Sequence, residues 1–383
     1  MKIIAADINQ IHNARVEWNA LVQTMQLPSI FLTWEWVTAW INQFGKDYEL
    51  LILMGYENDE LVCILPMAKK KMRLEDGLLT QRVITFCGAI ELYPDHLDII
   101  CSKDNDDEKI WKYIDELIGF IYLGNTMFDV IMLPYLAENG YLSRWVQTHT
   151  VMGRIIKAHE VVAPYTPIEG SINDLLQGMG KKKRYNLKRE VRILLEQKDV
   201  HMSIACGSEE VGTGLSELIK LHTARSDQKG IDSTFVSTEI LQFHHKFIET
   251  ASEHKWVRLY QLVNNSHVIA SAYGFLFQGR FQYYQTGFDP EWSNFSPGNV
   301  MIYLMIDQLS QDGAKEFDFL GGSDSYKYFW TKKHRLMPTY LLFNTGTLPT
   351  IEYHAMEARR VLKKVIKWAI RQWEARSSTR SIN

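Results

Sequence analysis

The chain has 383 residues, 46% of them hydrophobic, and a formal net charge of −3. That length provides for two domains and a tail. The hydrophobic fraction excludes a disordered chain, and the near-neutral charge excludes a surface that attracts polyanions everywhere.

The first residues, Met1 to Asp7, turn polar too soon for a secretory signal, and no apolar run reaches the length of a membrane span. A cytoplasmic protein is therefore expected. Cys63, Cys87, Cys101 and Cys206 lack CxxC spacing and lie mostly in apolar segments. They read as buried free thiols, and no metal site is expected.

Thr33 caps a helix predicted over 34–44, which sets Val37, Trp40, Ile41 and Phe44 on one face and stops at Gly45. Two apolar runs, 50–56 and 61–67, are separated by polar residues and predict a hairpin. The acid-rich turn holding Asp95, His96 and Asp98 offers carboxylates for acceptor recognition, although such clusters commonly serve a loop's own hydrogen bonds. A helix over 108–122 and a strand over 128–133 follow. Pro164 to Pro167 mark a boundary, which divides the chain into 1–165, 166–348 and 349–383.

Residues 181–192 contain seven basic side chains and one acid. Leu187, Val191 and Leu194 are spaced for one helical face, so the other face is strongly positive. Cations at a helix start oppose its dipole, and an anion held by Lys183, Arg184 and their neighbours would offset that cost. His222 and Arg225 fall near the end of a helix over 215–226, and His244 and His245 read as surface residues. Strands over 257–263 and 268–277 and a third from Phe281 form a meander in which Gln285 alternates inward with Tyr283.

Ser296-Pro297-Gly298-Asn299 then opens a helix running to Gly313. A short strand, Glu316-Phe-Asp-Phe319, leads into Leu320-Gly321-Gly322 and Tyr326-Lys327. Polar groups gathered where that strand ends, beside a helix N-terminus, suit the binding of a phosphate-bearing acyl donor. The two halves repeat one pattern of elements, so an α/β fold is expected with a mixed, mostly antiparallel sheet flanked by helices in each half. The tail over 352–380 carries eight Lys or Arg against three Glu. Its apolar stripe of Ala358, Val361, Leu362, Val365, Ala369 and Trp373 allows either docking on the protein or contact with an anionic membrane surface.

Taken together, the 181–189 helix, Tyr283-Tyr-Gln-Thr-Gly-Phe-Asp-Pro290, Ser296-Pro-Gly-Asn299, Glu316-Phe-Asp-Phe319 and Tyr326-Lys327 resemble the acetyltransferases of the CelD/BcsL group. That group belongs to the GNAT superfamily and is related to the FemAB aminoacyl transferases. Phe31-Leu-Thr-Trp-Glu-Trp-Val37 and Tyr93-Pro-Asp-His-Leu-Asp98 extend the resemblance over about residues 30–345. It implies two tandem GNAT-like domains, acetyl-CoA or another acyl-CoA as co-substrate, and a sugar-containing cell-envelope or polysaccharide precursor as acceptor. It also implies a functional lysine near Lys327. The Gln/Arg-x-x-Gly-x-Gly/Ala loop of ordinary GNAT enzymes is absent, and residues 291–299 stand in its place. An aminoacyl-tRNA donor, as in FemAB relatives, and a non-catalytic precursor-binding role therefore stay open.

No Ser-His-Asp or Cys-His spacing stands out, which favours direct attack on the thioester. The expected catalytic residues are Asp318, as a base whose pKa is raised by apolar neighbours, Tyr326, as proton donor to the leaving thiolate, and Lys327, for the oxyanion or a phosphate. Gln285, Thr286, Ser296, Gly298 and Asn299 are expected at the donor. Lys183, Arg184, Tyr185, Asp95, Asp98 and His222 are expected at the acceptor.

Overall fold

The computed structural model describes residues 1–124, 127–148, 154–229 and 237–380. Its strands are β1 (Lys2–Ala5), β2 (Glu49–Glu57), β3 (Glu60–Arg73), β4 (Thr80–Phe86), β5 (Ile100–Cys101), β6 (Val130–Leu133), β7 (Arg154–Pro167), β8 (Val200–Ala205), β9 (Val257–Asn264), β10 (His267–Phe277), β11 (Arg280–Phe288), β12 (Glu316–Asp318) and β13 (His334–Phe343). They form one 13-stranded sheet in the order β1-β2-β3-β4-β6-β13-β7-β12-β11-β10-β9-β8, with β5 paired to β3. The β2–β3 hairpin turns on Asn58 and Asp59, both in the left-handed region, with φ 50° and 64°. That is the backbone a two-residue hairpin needs to match strand twist.

Each half runs through the same series: a strand, helices, an antiparallel meander, a helix, a short parallel strand, a helix and a long strand. The fold is thus mixed α/β with a mostly antiparallel sheet flanked by helices. The long last strands are exchanged. β13 lies between β6 and β7, and β7 lies between β13 and β12, so Pro164 and Pro167 sit inside a strand that pairs with both neighbours.

A second contact joins the halves. Trp36, on the helix Trp34–Phe44, packs edge-on against Phe243 and Phe247 of the helix Thr238–Ala251, at 4.8 and 5.0 Å between ring centroids. His244 belongs to this core and is fully buried, which corrects its surface reading, while His245 is exposed. The reason is helical geometry: successive residues point about 100° apart, so of two adjacent histidines only one faces the packed side. Burial depresses the His244 pKa to about 3.

Two irregularities shape the site. β11 pairs with β12 only at Arg280, Phe281 and Gln282, and then continues to Phe288 paired with β10 alone, while the chain turns away after Asp318. A register shift against β10 makes Tyr284 an extra residue between Tyr283 and Gln285. A bulge of this kind resets the two-residue alternation.

Behind β11 the helix Ser208–Lys229 approaches closely. A β carbon on Gly287 would lie 2.6 Å from the backbone nitrogen of His222 and 2.9 Å from the carbonyl carbon of Leu221. Gly287→Ala must displace helix backbone, and we expect it to cost about 1–3 kcal/mol in urea denaturation. An unchanged midpoint would show that the helix yields freely.

The helix Thr347–Arg380 begins against the N-terminal half. Glu352, fully buried, accepts N–H bonds from Leu78 and Leu79 at 2.6 and 3.0 Å, and Met356 is buried in the same contact. Val361 and Leu362 are exposed, and the side chains of Val365, Ala369 and Trp373 lie outside the described residues. No described helix is long and apolar enough to cross a membrane.

Candidate active site

At the end of β12 the residues Asp318 to Gly322 form a pinned corner. Leu320 and Gly322 have φ of 55° and 118°. A leucine in that region is strained backbone held by its surroundings. Asp318 is fully buried, accepts the Leu320 N–H at 2.8 Å, and lies 2.8 Å from Nε2 of His96 in the other half. Asp95 accepts the Gly321 N–H at 2.5 Å. Lys327, also buried, donates to the carbonyls of Leu320 and Gly321 at 3.1 and 2.7 Å.

The electrostatics separate the two carboxylates. Burial works to raise the pKa of Asp318, but the charge and hydrogen bond of His96, joined by Arg280 and Arg335, outweigh it and hold the carboxyl below its ordinary value. The raised pKa expected from Phe317 and Phe319 is therefore corrected, because tertiary contacts bring cations that the flanking residues do not reveal. Burial does dominate at Asp95 and pushes its pKa up to about 6, against the His96 charge and the Gly321 amide. Burial lowers the pKa of Lys327.

Asp95 opens on a cleft of about 420 Å³ lined also by Glu91, Tyr93, Tyr135, Tyr284, Gln285 and the stretch 320–322. A second cleft, of about 200 Å³, lies at the start of the helix Pro297–Gln311 and is lined by Tyr283, Thr286, Phe288, Ser296, Gly298, Asn299 and Tyr326. Four of the five residues expected at the donor are thus gathered in one place with Tyr326. Gln285 is the exception. The bulge at Tyr284 turns Gln285 onto the Asp95 cleft, away from Tyr283, and its Oε1 accepts the Thr286 N–H at 2.9 Å. Ser296 holds the position before the helix with φ 52°, and its hydroxyl caps no helix amide.

The remaining sequence-based candidates are dispersed. The helix Lys181–Leu195 packs against Pro297–Gln311 and the turn Pro290–Phe295 with Leu187 and Leu194 buried, and none of its residues lines the second cleft. Within it, Lys183 donates to the Phe329 carbonyl, Arg184 is half-buried and Tyr185 is exposed. Nδ1 of His222 lies 3.1 Å from the Thr286 carbonyl. The side chain of Arg225 lies outside the described residues.

Asp98 faces neither cleft. Its oxygens accept the N–H groups of Ile99, Tyr141 and Leu142 at 2.9, 2.7 and 2.7 Å, which ties down the helix Tyr141–Thr148, and burial raises its pKa to about 6. Lys327, expected at an oxyanion or a phosphate, already donates to protein carbonyls, and the corner amides have protein partners too: Leu320 binds Asp318, Gly321 binds Asp95 and Gly322 binds the Val162 carbonyl.

Sequence reasoning missed the His96–Asp318 contact and the roles of Glu91, Tyr135 and Tyr284 as cleft walls. His96 had only its place between two acids to signal it. Among the described residues no group of three or more His, Cys, Asp or Glu is arranged to hold a metal ion.

The chain is similar in fold to several solved proteins. FemX is 12% identical over 90% of this chain and 97% of its own, with a TM-score of 0.59. The C-terminal domain of a proposed lysylphosphatidylglycerol synthetase from Agrobacterium fabrum is 9% identical over 90% and 96%, with a TM-score of 0.51. A conserved protein of unknown function from Bacteroides thetaiotaomicron is 10% identical over 89% and 99%, also at 0.51. At such identities the likeness concerns the fold alone. No curated protein matches the chain in sequence. Residues 181–328, which include the second cleft and the Asp318 corner, match the family model of the acetyltransferase (GNAT) domain.

Proposed function

We propose that the protein transfers an acetyl or other acyl group from acyl-CoA to an amine or hydroxyl of a sugar-containing precursor. The donor would bind in the cleft beside Gly298 and the acceptor in the cleft of Asp95. The observation that carries this reading is the bulge in β11: Thr286 and Gln285, adjacent in sequence, line the two clefts. A donor on one side of the strand and an acceptor on the other can then meet at its end.

In the proposed reaction the acceptor N–H or O–H attacks the thioester carbonyl. Asp95, ionised at neutral pH, takes its proton. The new C–N or C–O bond forms as the C–S bond breaks, and Tyr326 protonates the departing thiolate. The side-chain amide of Gln285 supplies a hydrogen bond to the developing oxyanion. Asp318 and Lys327 serve as positioning residues: Asp318 orients His96 behind Asp95, and Lys327 holds the corner carbonyls. Thr286, Ser296 and Asn299 contact the pantetheine and pyrophosphate, while Lys183, Arg184 and Tyr185 border the donor's phosphates and His222 steadies Thr286.

The CelD/BcsL assignment, the cell-envelope or polysaccharide acceptor and a cytoplasmic location, with peripheral membrane contact through the basic tail, belong to this proposal. So does the division into 1–165, 166–348 and 349–383. A second reading, transfer from aminoacyl-tRNA, is favoured by the strongly basic helix Lys181–Leu195, since phosphate backbones bind such faces.

Calorimetry with CoA, acetyl-CoA and charged tRNA, followed by thiol-release assays across amine and hydroxyl acceptors, separates these readings. CoA binding with turnover supports the first and tRNA binding alone the second, while binding of neither leaves a non-catalytic binding protein. A β carbon at Gly298 meets only the Phe288 ring, at 4.0 Å, so Gly298→Leu should fold and fill the donor cleft. We expect the KM for acyl-CoA to rise by about tenfold or more, the equivalent of about 1.4 kcal/mol of lost binding. An unchanged KM would move the donor elsewhere.

A further inference from the structure

A cavity of about 830 Å³ lies on the sheet face beneath the helix Thr347–Arg380. Its floor is apolar, built from Met72, Leu74, Met132, Ile156 and Leu341, and Met356 of the helix lines it from the other side. Tyr93 and Tyr135 belong both to its wall and to the wall of the Asp95 cleft, with ring centroids 6.4 Å apart. The two spaces therefore meet at this pair of rings. On the rim contributed by the helix stand Arg359, Arg360 and Lys363, which engage the Gly77 carbonyl, Glu357 and Asp76.

The acyl-transfer reaction places a carbonyl carbon beside Asp95, and whatever chain that carbon bears must go somewhere. An acetyl group needs no such room. A longer chain passes alongside Tyr93 and Tyr135, which line both spaces, onto methionines and branched aliphatics, surfaces that adapt to a flexible hydrocarbon. The volume is within the range of dedicated ligand pockets.

We infer that this cavity is the chain site of the acyl group, so that the preferred donor is a medium- or long-chain acyl-CoA. The charged rim also sets a limit: methylenes that reach it would desolvate cations, so the gain from each added methylene ends there. This inference rests on the acyltransferase reading.

The test titrates the full chain calorimetrically with CoA and with acetyl-, octanoyl-, dodecanoyl- and hexadecanoyl-CoA. Affinity should climb about fourfold per methylene at most and then level off before the longest chain. Ala158 lines the cavity from an exposed strand position. Ala158→Trp should therefore remove the climb, weakening dodecanoyl-CoA by about tenfold or more, and Ala158→Leu should shorten it.

Equal affinities for acetyl- and dodecanoyl-CoA would overturn the chain site alone. Failure of CoA itself to bind would overturn the donor reading and the chain site with it. Dodecanoate binding as tightly without CoA as dodecanoyl-CoA does would assign the cavity to a separate lipid and overturn the inference.

Discussion

Asp95→Asn is expected to lower kcat/KM by about two to four orders of magnitude, the usual worth of a positioned general base. With the Asp95 pKa at about 6, the rate of the unaltered protein should rise with pH through that value as the carboxyl loses its proton. The variant should lose that limb. The same change should stabilise the fold. An acid whose folded pKa lies above its unfolded value contributes stability that is present below the unfolded pKa and lost as pH rises through the folded one. Asp95 moves from 3.8 to about 6, so its ionisation works against folding at neutral pH, and an asparagine, which can still accept the Gly321 amide, avoids that cost. A gain of about 1–3 kcal/mol at pH 8 follows from about 1.4 kcal/mol per pKa unit. Thermal denaturation at pH 3 and pH 8 checks it, with the gain nearly absent at the lower pH and full at the higher. A variant that keeps both its rate and an inflection near pH 6 would remove Asp95 as the base.

His96→Leu is expected to destabilise the protein by about 3–5 kcal/mol, because it leaves the fully buried Asp318 without its nearest side-chain partner. The folded pKa of Asp318 is depressed. Its stabilising contribution is therefore present above the ordinary carboxylate pKa and is lost as pH falls through the folded value, so the penalty of His96→Leu should shrink in acid. Adding Asp318→Asn removes the stranded charge, and the double variant should lose less than the two single losses added together. Urea denaturation of all four forms at neutral and acidic pH measures this. Strict additivity would show that the two side chains are not coupled.

Local chemistry made much of the fold legible. Thr33 and Gly45 bounded a helix that runs Trp34–Phe44. The polar turns after residues 56 and 263 joined real hairpins, and Pro297 opened a real helix. These signals depend on capping, turn geometry and alternation over a few residues. Gln285 shows where that reasoning ends. Counting by twos put it beside Tyr283, but whether a strand carries an extra residue depends on its partner's register, which lies on another segment. Asp318 shows the same limit in electrostatics, since its neighbours in sequence are phenylalanines and its neighbours in space are His96, Arg280 and Arg335.

The sequence by itself determined the helix 34–44, the hairpins after residues 56 and 263, the positive helix at 181–192 and the helix start at Pro297, because each follows from interactions within a turn or between adjacent strands. Only the tertiary structure decided that β7 and β13 change places, that Asp95 and His96 from one half meet the Asp318 corner of the other, and that a tyrosine pair joins the reactive cleft to an apolar cavity. Those outcomes depend on the free energy of packing surfaces that lie far apart along the chain, and no short-range pattern encodes which surfaces will meet.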